Sequence, residues 1–241
     1  QEILDLFERL RIEAEAAGGA FHALLGNHEL MNARLDLRYV TDGGYADFRN
    51  VAEYDPSDSV QVWDRSSASF RSSTLAEFEP HQRARVAAFM PGGPYANLLA
   101  ERQVILQIGE NVFAHGGVLP EHVAYGIDEI NSSAQAWLRG EAELPSVLSG
   151  SNSPQWTRLY SDDPDSAACS VLEEALNALQ AKRIVVGHTI QESGIASACG
   201  RQAWRVDIGM AEYYATRTEY GGSVAVLEII GDSVRVINEL S

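Results

Sequence analysis

Apolar side chains near the start of the chain recur at the spacing of one helix face. The stripe is formed by Ile3, Leu4, Leu6, Phe7, Leu10 and Ile12. Gly18 and Gly19 supply a stop signal after it. The run Ala20–Leu25 that follows has the length and composition of a strand and ends at Gly26. This helix-then-strand order is typical of the second half of a βαβ unit.

Short apolar runs further along the chain predict a sheet. The predicted strands are Val104–Ile108, Asn111–Ala114, Arg183–Val186, Ala203–Ile208, Ser223–Ile230 and Ser233–Ile237. A Gly-Asp turn at residues 231–232 joins the last two strands as a hairpin. A helix is predicted over residues 127–139, and Ser170 with Glu173 resembles a capping box for another.

The segment 33–100 has a less regular pattern, with aromatic side chains scattered among polar ones. We expect an irregular helical cap there and no sheet. The whole pattern predicts an α/β fold in which residues 1–241 form one domain and residues 33–100 are an insertion over its site.

Composition and charge narrow the function classes. The 241 residues are 45% hydrophobic, which is sufficient for the core of one domain or two small ones. The net charge of −16 argues against a nucleic-acid partner, because the phosphate backbone would be repelled. The chain has no apolar run of membrane-spanning length. Cys169 and Cys199 are too few for a disulfide scaffold and are expected to be small core residues.

Three of the six histidines come just after a predicted strand, each within two residues of a glycine. They are His28, His115 and His188. Sites in α/β sheets are assembled at the carboxyl ends of strands, and imidazole and amide oxygen bind Zn, Mn or Fe. We therefore expect Asn27, His115 and His188 to converge on one cation. The other histidines are expected to be structural.

Three motifs carry a family resemblance. GNHE at residues 26–29, FAHGG at 113–117 and VGHT at 186–189 resemble, in order, the later motifs of the PPP-type metallophosphoesterases. Finer features resemble the Shewanella-like protein phosphatases (Shelphs), a bacterial-type branch. These features are Asn32, Tyr39 with Val40, and the segments 112–120 and 156–161. The resemblance extends from residue 1 to about residue 210.

The resemblance implies a two-sheet metallophosphoesterase sandwich flanked by helices, with a binuclear Mn, Fe or Zn site. Asn27, His115 and His188 match ligands of the second metal. His28 matches the histidine that protonates the leaving oxygen, and Arg158 matches the arginine that grips the phosphoryl oxygens. The implied mechanism is in-line attack by a metal-bridging hydroxide.

Two other residues match supporting positions, and two motifs are absent. Glu29 would support its loop, and Asp207 is expected to be structural.

The family motifs GDxHG and GDxxDRG, which supply the first metal ligands, do not occur in these 241 residues. We expect an enzyme cleaved after the second motif, with the N-terminal piece as a partner. A truncated protein and a non-catalytic remnant are the alternatives.

The resemblance implies hydrolysis of phosphate monoesters, most often on a phosphoprotein or peptide and with a preference for phosphotyrosine. The aromatic cap could form a slot for that ring, or it could form a small core of its own. A diadenosine-tetraphosphatase-like hydrolase of small phosphoesters is the enzyme alternative, and an inactive binding module is the other. No nucleic acid or membrane partner is expected, and the cytoplasm is favoured over the periplasm.

Overall fold

The computed structural model describes residues 1–217 and 221–238, and it divides into two compact units. The first unit contains residues 1–103 and 132–145, and the second contains 104–131 and 146–241. Helix α7 (Ile127–Leu138) spans the boundary between them in the chain. Within the described residues, no helix has both the length and the apolar character needed to cross a membrane. The division leaves the expected single domain over residues 1–241 as a prediction.

The first unit is mainly helical and contains one hairpin. Its other helices are α1 (Glu2–Ala16), α2 (Asn27–Ala33), α3 (Asp42–Ala46), α4 (Arg83–Phe89) and α5 (Pro94–Leu99). Strands β1 (Ser59–Asp64) and β2 (Ser69–Thr74) form the antiparallel hairpin. The predicted first helix is confirmed, and it ends before Gly18, whose φ of +79° is a conformation that glycine adopts without strain.

The second unit is built on a five-stranded mixed sheet with the order β3-β4-β5-β7-β6. The strands are β3 (Ile105–Ile108), β4 (Asn111–Ala114), β5 (Arg183–Val186), β6 (Ala196–Ala198) and β7 (Ala203–Arg205). The unit also contains α6 (Pro120–Tyr125), α8 (Ser166–Ala178) and the hairpin of β8 (Ala225–Ile230) with β9 (Ser233–Asn238). β4, β5 and β7 are parallel neighbours, whereas β3 and β6 are antiparallel to theirs. The predicted α/β class is therefore confirmed.

The predicted strand Ala20–Leu25 is wrong. Leu24 forms an isolated parallel bridge with Gln103, and the Leu25 N–H donates to the Gln103 carbonyl oxygen at 2.9 Å. A single bridge does not extend into a ladder, so the segment is extended chain leading to α2. Within the segment only Leu25 is fully buried, whereas Ala20 and His22 are exposed.

The cap contains a hairpin, contrary to the expectation of a segment without a sheet. Val60 on β1 is buried with Leu75 and with Val86 on α4. Through β1, this packing gives the hairpin the apolar support that an isolated hairpin lacks in water. The alternation along β1 was too weak to indicate a strand because only Val60 is fully buried.

Several cap aromatics form a core of their own. The ring of Phe48 lies 5.0 Å from that of Phe89 and 4.9 Å from that of Tyr95, and all three side chains are buried. Tyr39 and Tyr54 are exposed instead. Most of the aromatic signal in the cap therefore reflects packing.

Helix α8 begins earlier than its predicted capping box. Asp165 is the N-cap, and its carboxylate accepts a hydrogen bond from the Ala168 N–H at 2.8 Å. Ser170 lies inside the helix, where its hydroxyl donates to the Ser166 carbonyl oxygen. Aspartate and serine are both good caps, and here the aspartate is the one that the chain uses.

The cysteines form a disulfide, which corrects the expectation of two plain core residues. Cys169 lies on α8, and Cys199 directly follows the edge strand β6. The bond closes a loop with a sequence separation of 30 residues that contains β5 and His188. Two cysteines so far apart give no local pattern, so only the tertiary structure could reveal the pairing.

Removing this disulfide should destabilise the second unit. In the chain-entropy account, closing a loop of about 30 residues stabilises the folded state by about 3 to 4 kcal/mol. Cys199→Ser should lower the urea midpoint, and a reductant should lower the midpoint of the parent but not of the variant. Two free thiols in the unfolded, unreduced parent would contradict the bond.

The turn after β4 requires glycine because backbone packs directly against it. The N–H groups of Gly116 and Gly117 donate to the Pro154 carbonyl oxygen at 2.8 and 3.0 Å. A Cβ added at Gly116 would lie 2.7 Å from the Thr157 carbonyl oxygen, closer than such atoms approach. The segment 153–157 therefore fixes the turn that carries His115.

Gly116→Ala should displace this turn and destabilise the second unit by about 1 to 3 kcal/mol, as overpacking does. Gly187→Ala is the matched control, because the nearest atom outside its chain neighbours, the His115 carbonyl oxygen, would lie 3.7 Å from the new Cβ. Urea unfolding measures both. Equal loss of stability in the two variants would show that the close approach at Gly116 is not the cause.

Candidate active site

Two of the predicted site histidines meet at one edge of the sheet. β4 and β5 are parallel, and Ala114 pairs with Val186. His115 directly follows β4, and His188 follows β5 after one residue. The His115 Nε2 atom lies 3.0 Å from the His188 Nδ1 atom. The sequence predicted this juxtaposition from strand ends alone.

The backbone of His188 lies in the left-handed region, with φ of +67°. A side chain other than glycine is uncommon in that region, and such residues concentrate at functional sites. The preceding Gly187 donates its N–H to the His115 carbonyl oxygen at 2.9 Å. Trp156 meets the His188 ring edge-on, with 5.6 Å between centroids. The ring of His188 is thus oriented by contacts from both strand ends and from the segment 153–157.

Arg158 lies beside His188. Its Nη1 group donates to the His188 carbonyl oxygen at 2.8 Å and to the Thr189 hydroxyl at 2.7 Å. The Thr189 and Ser161 hydroxyls are 2.7 Å apart. The Arg158 side chain is also exposed. Its guanidinium is therefore positioned by hydrogen bonds and remains accessible from solvent.

Gln191 was not predicted, and it joins the loops that carry Arg158 and His188. Its Nε2 group donates to the carbonyl oxygens of Ser161 and Thr189 at 3.0 and 2.8 Å. Its N–H donates to the Asp207 carbonyl oxygen at 2.7 Å. The Asp207 carboxylate accepts from the Gly209 N–H, a contact that suits the structural role expected for it.

Asn27 and His28 lie in the first unit, at the start of α2. Asn27 is buried, whereas His28 is exposed and stacks on Tyr39 with 5.2 Å between ring centroids. The Glu29 carboxylate accepts a hydrogen bond from the Gly26 N–H at 2.9 Å. Glu29 therefore closes the turn before α2, which is the support expected of it.

Arg85 contacts the site residues of the first unit, and no sequence pattern predicted it. Its Nε donates to the Asn32 Oδ1 atom at 3.0 Å, and Asn32 in turn donates to the His28 carbonyl oxygen at 2.8 Å. The guanidinium lies 4.5 Å from the Phe48 ring centroid. Burial lowers the pKa of Arg85 from its usual value, with Tyr45 and Asp47 opposing that shift. One arginine in an aromatic cap has no sequence pattern that marks it.

The histidine pair suits a divalent metal in part. In a tetrahedral site with Zn–N distances of about 2.0–2.1 Å, two ligand nitrogens lie roughly 3.3 Å apart. The 3.0 Å between His115 and His188 is close to that separation. Within residues 1–217 and 221–238, no group of three or more His, Cys, Asp or Glu forms a metal cluster. The separation of these two imidazole nitrogens is compatible with two donors of one coordination sphere.

Sequence comparisons find a named protein phosphatase and uncharacterized proteins among the relatives. No protein-family model matches the chain. The chain is 35% identical over 258 residues to Shewanella-like protein phosphatase 2 of Arabidopsis thaliana, covering 98% of this chain and 64% of the relative. An uncharacterized Schizosaccharomyces pombe protein is 28% identical, with 92% and 59% covered. An uncharacterized protein of Acanthamoeba polyphaga mimivirus is 28% identical, with 94% of both covered. The chain thus spans less than two thirds of the first two relatives.

Solved structures share the fold. The structure matches a cold-active protein tyrosine phosphatase of a psychrophilic Shewanella species with a TM-score of 0.61 and 23% identity. A point mutant of a cold-active protein tyrosine phosphatase gives a TM-score of 0.62 and 24% identity. Both matches cover 86% of this chain and 55% of the solved one. This chain is thus similar in sequence to a Shewanella-like protein phosphatase over most of its own length, and it shares the fold of the solved protein tyrosine phosphatases.

Proposed function

We propose that the chain carries the catalytic chemistry of a phosphoprotein phosphatase that hydrolyses phosphate monoesters. The observation that carries this proposal is the cluster of His115, His188 and Arg158 in the second unit. It combines two metal-type donors with an exposed arginine whose fork suits a tetrahedral anion. The sequence relationship to a protein phosphatase supports the same chemistry.

His115 and His188 are proposed ligands of one divalent metal ion, and the family motif adds Asn27 as a third. When bound, divalent metal ions neutralise phosphoryl charge and lower the pKa of water. Mn, Fe and Zn all suit an imidazole and amide donor set. The proposal for Asn27 rests on the motif alone.

His28 and Arg158 are the proposed catalytic residues. Arg158 would bind the phosphoryl oxygens, using guanidinium donors beyond those given to His188 and Thr189. His28 would give a proton to the leaving oxygen, and its exposure leaves it accessible to a substrate. In this proposal, the arginine would stabilise the charge on the transferred phosphoryl group, and the histidine would assist the departure of the leaving oxygen.

The proposed substrate is a phosphorylated protein or peptide, with phosphotyrosine preferred. The solved structures of this fold are named protein tyrosine phosphatases, which supports the preference at the level of the fold. The net charge of −16 disfavours a nucleic acid as substrate.

The disulfide favours a working compartment in which such bonds persist. Disulfides are rare where thiols are kept reduced, and Cys169–Cys199 encloses the loop that carries His188. This proposal replaces the expectation that the cytoplasm is favoured.

Manganese-dependent hydrolysis of phosphotyrosine should fall about 100-fold or more in His28→Ala, the range that general acids contribute. Hydrolysis of p-nitrophenyl phosphate should fall less, because nitrophenol departs without a proton more readily than a phenol of pKa about 10. His22→Ala is the matched control, an exposed histidine of the same unit. Steady-state kinetics on both substrates measures the difference.

Other results of this assay would change the proposal. An equal loss on both substrates would show that His28 is not the proton donor. Faster turnover of a dinucleoside polyphosphate than of phosphotyrosine and phosphoserine peptides would favour the alternative hydrolase. Metal binding without hydrolysis of any of these substrates would favour a binding module.

Replacing either histidine of the pair should abolish metal binding. His115→Ala and His188→Ala should each lose the manganese that they share, because each variant removes one of two adjacent donors. Elemental analysis after manganese loading and desalting measures the ion content. His81→Ala is the control, since His81 lies against Tyr45 in the first unit. Unchanged manganese in both site variants would contradict the proposed ligands.

A further inference from the structure

A pocket in the first unit opens beside His28 and contains an aromatic wall. Its volume is about 280 Å³, and residues that line it include His28, Asn32, Asp36, Tyr39 and Arg85. Cavities that hold drug-sized ligands begin at about 300 Å³. The pocket, called here the Tyr39 pocket, lies just below this range, and we therefore expect it to accept a single side chain.

Tyr39 is held by ring contacts while most of its surface remains free. Its ring stacks on His28 with an interplanar angle of 29°. The Arg38 guanidinium lies 5.3 Å from its centroid and pairs with the Asp36 carboxylate at 2.6 Å. The residue is nonetheless 61% exposed. The ring is thus oriented by two contacts, and its exposed remainder is the surface that a second ring would contact.

Another wall of the Tyr39 pocket is fixed by hydrogen bonds that run through Arg85. Arg85 donates to the Asn32 Oδ1 atom and, at 2.8 Å, to the Gly44 carbonyl oxygen. It also packs against the rings of Phe48 and Phe89. A pocket whose lining is already tied in place loses little entropy when a side chain enters it.

The charges of the pocket favour a neutral ring over a second phosphate. Arg38 is paired with Asp36, and Arg85 directs its Nε and Nη1 groups to Asn32 and Gly44. An additional phosphate group would meet the Asp36 carboxylate with both neighbouring arginines already engaged. A phenyl ring needs no cation and would gain contact with Tyr39.

We propose that Tyr39 is a specificity-determining residue that packs against the leaving-group ring of phosphotyrosine. This inference rests on the proposed function, in which His28 serves the leaving oxygen. A proton donor must lie within about 3 Å of that oxygen, so the leaving side chain passes His28 and reaches the ring stacked on it. An aromatic pair contributes a preference of several-fold, up to about tenfold.

The test compares two peptides of one sequence that carry phosphotyrosine or phosphoserine. Tyr39→Leu should lower kcat/KM for the phosphotyrosine peptide several-fold, up to about tenfold, mainly through KM, and leave the phosphoserine value nearly unchanged. Tyr39→Phe should keep the parent preference, since it retains the ring. Tyr54→Leu is the matched control, an exposed tyrosine that lines another pocket of the same unit. Thermal unfolding confirms that each variant is folded.

The outcomes separate this inference from the function on which it rests. An equal loss for both peptides in Tyr39→Leu would overturn it, because Tyr39 would then act only by placing His28. Equal parent rates on both peptides would overturn it while leaving the phosphatase proposal intact. A parent that hydrolyses neither peptide would overturn both.

Discussion

The parallel pairing of β4 with β5 is the constraint on which the second unit's site depends. The pairing runs from Asn111 opposite Arg183 to Ala114 opposite Val186. Parallel ladders bring the carboxyl ends of both strands to one edge, so His115 and His188 emerge as neighbours. A slip by one residue would turn every side chain to the opposite face and separate the imidazoles.

Hydrogen bonds outside the ladder fix the loops that carry His188 and Arg158 relative to each other. Gly116 accepts the close approach of the segment 153–157, which leads directly to Arg158. Thr189 and Gln191 then link the loop of Arg158 to the loop of His188. The exposed arginine is therefore placed by polar contacts from its neighbours. In the proposed function, charge that is preorganised in this way would stabilise the transition state without further reorganisation.

The disulfide adds a covalent constraint around the same loops. Cys169 on α8 is joined to Cys199 after the edge strand β6, and His188 lies within the closed loop. β6 is short, and edge strands have a ladder on one side only. Anchoring its end to a helix limits how far the loop between β5 and β6 can open. The first unit has a comparable anchor in Arg85, which ties Asn32 and Gly44 together.

The sequence by itself determined the α/β class, most strands of the second unit and the residues that follow them. It did so because strand periodicity, glycine turns and polar strand ends are local patterns. Tertiary structure decided what depends on partners distant in the chain. Ala20–Leu25 lacks a ladder, β1 packs in a cluster with Val86 of α4, and Cys169 pairs with Cys199. Each outcome is set by which remote surface packs against a segment, and no local pattern carries that information.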